Sequence, residues 1–283
     1  MKPVVVKFGG ELLEERRRMM ALAAAIARLT SKGKRIPLVL VHGGGREIDA
    51  ALARVGIEKR QVEGLRITDE PTLEIVVSVL AGLVNTRFVA ALGAAGVRAV
   101  GLTGADATIG RVRRAAPHRT TKGEVVDLGQ VGDPAGRGVP KLLIDLCRGG
   151  YVPVLCSVGA SEDGTLFNVN ADVLAAHLAG RLGSPRLIIA GATAGVPDAG
   201  GATIPALTFG EIDRLVESGG ATAGMIAKLA ACRAAIDAGA KEVFVADGRD
   251  PGRLALLARR TAADVDGSTK IHKGKRTMVR KKR

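Results

Sequence analysis

An α/β fold built on a mainly parallel, open sheet is what this sequence predicts, and three observations predict it. A strand, a glycine-rich turn and a helix follow one another twice within the first fifty residues. The same alternation of short apolar runs with helical periodicity restarts from Pro185. The 283 residues, 47% of them hydrophobic, supply ample core for one large domain or for two lobes sharing a sheet. With no Trp, one Tyr and five Phe, that core has to be built from Val, Leu, Ile and Ala.

Taken in order, Pro3-Val4-Val5-Val6 is the first strand, and Lys7-Phe8-Gly9-Gly10 is its turn. Residues 11–31 place Leu12, Met19, Leu22, Ala23, Ile26 and Leu29 at helical spacing, with Gly33 as a stop. The second strand, 36–41, leads into His42-Gly43-Gly44-Gly45 and a helix over 46–55. Residues 64–69 read as a loop or hairpin arm, and Thr68 or Asp69 caps a helix over 71–92 with Pro71 in its first turn. A strand at 97–102 follows, then an antiparallel hairpin over 109–131 turning at Thr121-Lys122-Gly123. Beyond it come a helix at 139–148, a buried strand at 151–156, and a helix opened by Asn168-Val169-Asn170-Ala171-Asp172 and running to Leu182. The second half reads as a strand at 187–190, helices at 208–216 and 222–238, a strand at 241–246, a helix at 251–260 and a short strand at 269–272. No low-complexity linker interrupts this, so 1–182 and 183–283 are expected to be two lobes hinged near 180–185.

Composition narrows the function classes. Counted as uncharged apolar runs, no stretch approaches the roughly 18 residues of a membrane span, and the first residues read as a strand rather than a signal peptide. The cytoplasm is the expected compartment. Three widely spaced cysteines, Cys147, Cys156 and Cys232, form neither a disulfide framework nor a metal motif, and the four histidines lack metal-ligand spacing. No resident metal site is expected. The net charge of +14 invites a nucleic-acid reading, but eight basic groups and no acidic one fall in 268–283; subtracting those eight leaves +6 for the rest. The basic tail over 273–283 reads as a frayed, solvated terminus, and nucleic acid as a poor expectation for so aromatic-poor a surface. A basic molecule still gathers anionic substrates.

The glycine turns set the chemistry. Parallel strands aim both turns at one sheet edge, where ligands bind in this fold class. Glycine lets backbone N–H groups approach a phosphate, and the following helix offers its positive end. Gly9, Gly10, Gly43, Gly44 and Gly45 are therefore candidate phosphate contacts, although a triple glycine taken alone fits a plain tight turn equally well. Phosphoryl transfer needs neutralisation of charge on the moving group. Lys7 beside the first turn and Lys228 one turn into the helix that begins at Gly224 would supply it from opposite lobes, with Asp172 holding both ammonium groups. The bland readings are solvated lysines and a helix-start carboxylate. No His or Glu is placed as a general base, and a carboxylate acceptor, ionised at neutral pH, needs none. Arg66 offers a fork for a second carboxylate, and Asn168 and Asn170 offer donors and acceptors for an acyl amide; taken singly they are a surface arginine and turn asparagines.

Lys7-Phe8-Gly9-Gly10, Val41-His42-Gly43-Gly44-Gly45, Gly64-Leu65-Arg66-Ile67-Thr68-Asp69, Asn168-Val169-Asn170-Ala171-Asp172 and Gly224-Met225-Ile226-Ala227-Lys228, in this order, resemble the pattern of the amino acid kinase family. The resemblance runs over residues 3–272, and the third and fourth segments are most similar to members that phosphorylate N-acetylglutamate. It implies a three-layer αβα sandwich whose N-terminal lobe holds the acyl amino acid and mediates dimerisation, and whose C-terminal lobe holds ATP. It also implies that Lys7 and Lys228 stabilise the transferring phosphoryl group, that Asp172 organises them, and that Gly44, Gly45, Arg66, Asn168 and Asn170 bind the acyl amino acid. Gly224 and Lys228 would contact the nucleotide, with Mg²⁺ bridging ATP. The implied reaction converts N-acetyl-L-glutamate to N-acetyl-L-glutamyl 5-phosphate, early in arginine biosynthesis.

Two departures stand out. The C-lobe turn that usually reads Thr-Asp-Val-Pro-Gly is Gly191-Ala192-Thr193-Ala194-Gly195 here, without a carboxylate. The chain also opens directly on its first strand, where arginine-inhibited hexameric relatives carry an extra helix, so a dimer insensitive to arginine is expected. Rival readings are a sister kinase acting on carrier-linked aminoadipate or glutamate, or on N-succinylglutamate, and a catalytically weakened nucleotide- or nucleic-acid-binding protein.

Overall fold

β-Branched runs alternate their side chains between two apolar layers, and that alternation builds the sheet. The computed structural model describes residues 2–31, 35–259 and 267–274. Eight strands form one sheet: β1 Val4–Phe8, β2 Leu38–His42, β3 Ala99–Leu102, β4 Val152–Cys156, β5 Arg186–Gly191, β6 Ala206–Thr208, β7 Glu242–Asp247 and β8 Ser268–His272. Their order is β6-β8-β7-β5-β1-β2-β4-β3. Every neighbouring pair is parallel except β7 with β8. Strands from the first 182 residues occupy one half of the sheet and strands from 183 onward the other, meeting at β1 and β5, where Lys7 pairs with Ile189.

Val4, Val6 and Phe8 of β1 enter one apolar cluster, and Val5 enters the other. The first cluster takes side chains from α1 Arg16–Thr30, α2 Gly45–Arg54, α3 Glu70–Ala94 and, after a long gap in sequence, Pro251–Arg259. The second takes them from α4 Lys141–Gly149, α5 Ala171–Arg181, α6 Phe209–Glu217 and α7 Ala223–Asp237; the Pro251–Arg259 helix is α8. Helices on both faces of a mainly parallel sheet make the three-layer αβα sandwich expected from the sequence. Both halves contribute to the second cluster (Val41 and Leu174 against Leu187 and Val243), so they share a core.

Several local expectations shift. The first helix begins at Arg16 rather than at Glu11, because Leu12 and Leu13 donate to the carbonyls of Gly9 and Gly10 in a 3₁₀ turn at Gly10–Leu12. Asp69 caps α3 by accepting from the Thr72 amide at 3.1 Å, and residues Ser78–Val84 within that helix are wound as a π-helix. The hairpin expected over 109–131 is two ladders, Val112–Arg114 with Gly132–Pro134 and His118–Arg119 with Val125–Val126. A further hairpin pairs Val158–Ala160 with Leu166–Asn168, and β6 completes the far edge; neither was expected.

Counting uncharged runs understated α3. Residues Glu70–Ala94 are long and apolar enough by length and composition to cross a membrane. Val76, Leu80, Val84, Phe88 and Leu92 on that helix are nevertheless fully buried in the first cluster, the position of a core helix. The stop expected at Gly33 and tail residues 275–283 lie outside the described residues. Lys273, at the start of the tail, pairs with Asp237 at 2.9 Å.

Candidate functional site

Because side chains alternate along β1, Lys7 projects to the same face as Val5, toward the start of α5. Its Nζ lies 2.8 Å from Asp172 Oδ1, both side chains being only 12% exposed. Asp172 is placed by its own helix: the Asn170 side chain caps α5, its oxygen accepting from the amides of Asp172 at 2.9 Å and Val173 at 3.2 Å. That capping bond occupies the Asn170 oxygen, which leaves only its NH₂ group for any ligand.

The two N-terminal glycine turns touch. A Cβ on Gly10 would lie 2.7 Å from the Gly44 Cα, so only glycine permits the approach, whereas a Cβ on Gly45 would meet nothing within 4 Å. Gly44 caps α2 with no side-chain hydrogen bond, so no cap side chain occupies the first amides of that helix. The π segment of α3 sets Leu80 and Val84 against Gly44 from behind. Beneath the turn, His42 Nδ1 donates to the Gly43 carbonyl at 3.1 Å while Nε2 accepts from Asn85 Nδ2 at 3.1 Å. Complete burial lowers the His42 pKa to about 4, against a smaller opposing effect of the Gly43 bond, and the ring is neutral. Asn85 also donates to the Val154 carbonyl at 3.0 Å, tying the turn to the neighbouring strand.

Arg66, on the short hairpin of Gln61–Val62 and Leu65–Arg66, reaches α2. Its Nη2 donates to Asp49 and, at 3.2 Å, to the Gly45 carbonyl; Nη1 is buried without a partner. Burial works to raise the Asp49 pKa, but hydrogen bonds from Lys59 and Arg66 outweigh it and hold the carboxyl below its usual range. Asn168 Nδ2 donates to Thr68 Oγ1 at 3.2 Å, so its oxygen is the atom left over.

From the other half of the sheet, Lys228 on α7 extends to the end of β5. Its Nζ lies 3.3 Å from where a Cβ on Gly191 would sit, and it has no ion-pair partner among the described residues. One turn further along α7, the thiol of Cys232 is pushed well up by burial and by Asp172, while Lys228 and Lys7 pull it back. Lys7 with Asp172 at the end of β1, and Lys228 at the end of the adjacent β5, thus share one sheet edge. Gly224 lies in the first turn of α7 in open space. Cys147 and Cys156 are likewise buried, and desolvation raises them to about 11 and about 12, the values of inert thiols.

The turn at 191–195 carries no carboxylate, as its sequence states, yet one is present in space. Glu11, which the sequence reading passed over, accepts from the Ala192 amide at 3.1 Å and lies directly on Gly9. Sequence also missed the pair of Glu47, in the first turn of α2, with Arg87. Its visible signal was an acidic residue two positions after the triple glycine. No cluster of three or more His, Cys, Asp or Glu side chains suited to a metal occurs among the described residues. The acidic groups at the turns, Glu11, Glu47 and Asp172, do not form a cluster of three, a donor set that suits Mg²⁺ carried on substrate phosphates rather than in a protein cage.

Comparison with known proteins gives the family and the fold. A model of the amino acid kinase family matches residues 2–247. An acetylglutamate kinase from Geobacter metallireducens is 38% identical over 252 residues, 88% of this chain and 85% of that protein. One from Methanopyrus kandleri is 40% identical over 244 residues, 85% of this chain and 93% of its own length. Among solved structures, the N-acetylglutamate synthase of Neisseria gonorrhoeae, complexed with coenzyme A and N-acetyl-glutamate, superposes with a TM-score of 0.80 at 26% identity, covering 97% of this chain and 60% of that longer one.

Proposed function

The chain belongs to the amino acid kinase family, and on that premise we propose that it transfers the γ-phosphoryl group of ATP to the side-chain carboxylate of N-acetyl-L-glutamate, giving N-acetyl-L-glutamyl 5-phosphate and ADP in arginine biosynthesis. The observation that carries the reading is the gathering of Lys7, Asp172 and Lys228 at the edge where the glycine turns meet.

Phosphoryl transfer leaves the protein little covalent work, so positioning and charge carry the rate. The amides of the touching turns bind the phosphoryl oxygens, and the α2 N-terminus adds its partial positive charge. Lys7, held by Asp172, faces the moving group from the first half of the sheet, and Lys228 faces it from the second. A preorganised donor of this kind is worth about 10²–10³ in rate. No residue takes a proton, because the acceptor carboxylate is already ionised. The buried, unpartnered Nη1 of Arg66 is the donor for the substrate α-carboxylate, and the free Asn168 oxygen accepts from the acetamide N–H. Mg²⁺ carried on ATP would neutralise phosphate charge, with Glu11, held on Gly9 by the Ala192 amide, as a carboxylate at that edge. The acting form is a homodimer in the cytoplasm, as membership of the amino acid kinase family and the resemblance to acetylglutamate kinases suggest.

One experiment tests the assignment: a coupled ADP-release assay on the size-exclusion peak with the mass of two chains, offered a panel of free acyl amino acids. Turnover highest with N-acetyl-L-glutamate is expected. Turnover confined to N-succinylglutamate, or to carrier-linked aminoadipate or glutamate, would replace the acceptor, and activity found only at the mass of one chain would remove the dimer.

A further inference from the structure

An acidic side chain in a phosphate cradle is out of place by simple electrostatics, and Glu11 is such a side chain. Its carboxylate covers Gly9, where a Cβ would lie 2.3 Å from Oε1, and it accepts from the Ala192 amide at 3.1 Å. Oε1 and Lys228 Nζ both stand within 3.5 Å of a Cβ position on Gly191, so the acid and the ammonium look onto the same small volume. That volume lies between the first glycine turn, the C-lobe turn and the first turns of α7. The C-lobe turn brings no carboxylate of its own: Gly191-Ala192-Thr193-Ala194-Gly195 has none. A contact spanning 181 positions of sequence puts one there from the other half of the chain.

We propose that Glu11 makes nucleotide binding conditional on a divalent cation. The inference rests on the reading that ATP binds at this edge. Lysines alone would attract a bare polyphosphate and a magnesium-loaded one alike. A fixed carboxylate among them repels the bare form and gives the loaded form an oxygen to face, which suits an ion that keeps waters and takes one or two carboxylates beside phosphate. At about 6 Å and an effective dielectric between those of water and a protein surface site, one charge shifts phosphate binding by about tenfold.

The bland alternative is that Glu11 merely tethers two turns through the Ala192 amide. Glu11→Gln separates these roles, because the amide oxygen of Gln still accepts that bond while the charge is gone. Calorimetric titration with ADP, once with excess MgCl₂ and once with chelator, reads the outcome. In the natural protein Mg²⁺ should tighten ADP about tenfold or more. In E11Q the metal-free affinity should rise about tenfold, and the gain from Mg²⁺ should shrink to about threefold or less. Glu11→Asp, which keeps the charge and gives up reach to Ala192, should retain most of the Mg²⁺ gain. An E11Q ratio equal to that of the natural protein overturns the proposal, as does E11D losing the ratio together with E11Q. A natural protein that binds ADP under neither condition overturns the nucleotide reading itself, and this inference with it.

Discussion

On the N-terminal side of the β1–β5 seam, charged groups near the site have ion-pair mates, Glu11 excepted, whose carboxylate reaches across to the Ala192 amide. Lys7 holds Asp172, Arg66 and Lys59 hold Asp49, and Arg87 holds Glu47. The glycine turns there are pinned by the Gly10–Gly44 contact and by His42 and Asn85. Across the seam, Lys228 lacks an ion-pair partner among the described residues, Gly224 faces open space, and the 191–195 turn has no charged side chain. On the proposed function, the first half is preorganised for the acceptor and the second is left for the nucleotide to complete. Such a division fits a small rigid acceptor, which gains from a prebuilt site, and a large polyanion that brings its own cation.

The strongest way to break the comparison is to remove one lysine from each side. Lys228→Ala should lower kcat by about 10²–10³ while the thermal midpoint stays within a degree or two, since no bond of the folded protein is lost. Lys7→Ala should lower kcat by a similar factor and also cost about 2 kcal/mol, because Asp172 is left unpaired at 12% exposure. Steady-state kinetics with calorimetry on both variants decides it; equal thermal losses would erase the asymmetry.

A smaller effect tests the pinning itself. In Gly10→Ala the new methyl meets backbone, which cannot swing aside as a flexible side chain would. A stability loss of about 1–3 kcal/mol and a raised KM for the acceptor are expected, with KM for ATP less affected. Unchanged stability would mean that the turns have room to part.

The last effect touches stability alone, through pH. Folded His42 has its pKa lowered to about 4, chiefly by burial, against 6.5 ordinarily. Between those values the unfolded chain takes up a proton that the folded chain refuses, so stability falls as pH drops from 6.5. By pH 5 the loss should approach about 2 kcal/mol in urea unfolding. A flat profile from pH 7 to 5 would place the ring in contact with water.

Much of this was legible in the sequence because the signals were local. β-Branched runs marked β1, β2, β4, β5 and β7 within a few residues, and glycine turns marked the sheet edge. Asp172 and Lys228 could be singled out by their positions in the first turns of helices. What escaped depended on distant partners. Val158–Ala160 and β6 are three residues each and exist only through pairing. Glu11 resembled the first residue of a helix; its role comes from Ala192, far along the chain. The π winding at Ser78–Val84 left only Gly82 as a local mark, and a single glycine within a helical pattern does not specify it.

The strand order has a metrical consequence. The turns after β2, β1 and β5 hang from three consecutive strands, and neighbouring strands lie about 4.8 Å apart. The turns after β2 and β5 are therefore set about 10 Å from each other, with the first glycine turn at the midpoint. In the proposed function the sheet thus spaces the turns that anchor the two substrates, while the phosphoryl group itself crosses only the gap between reacting atoms about 3–3.5 Å apart. A topology with one more strand between β1 and β5 would widen the separation of those turns by half again.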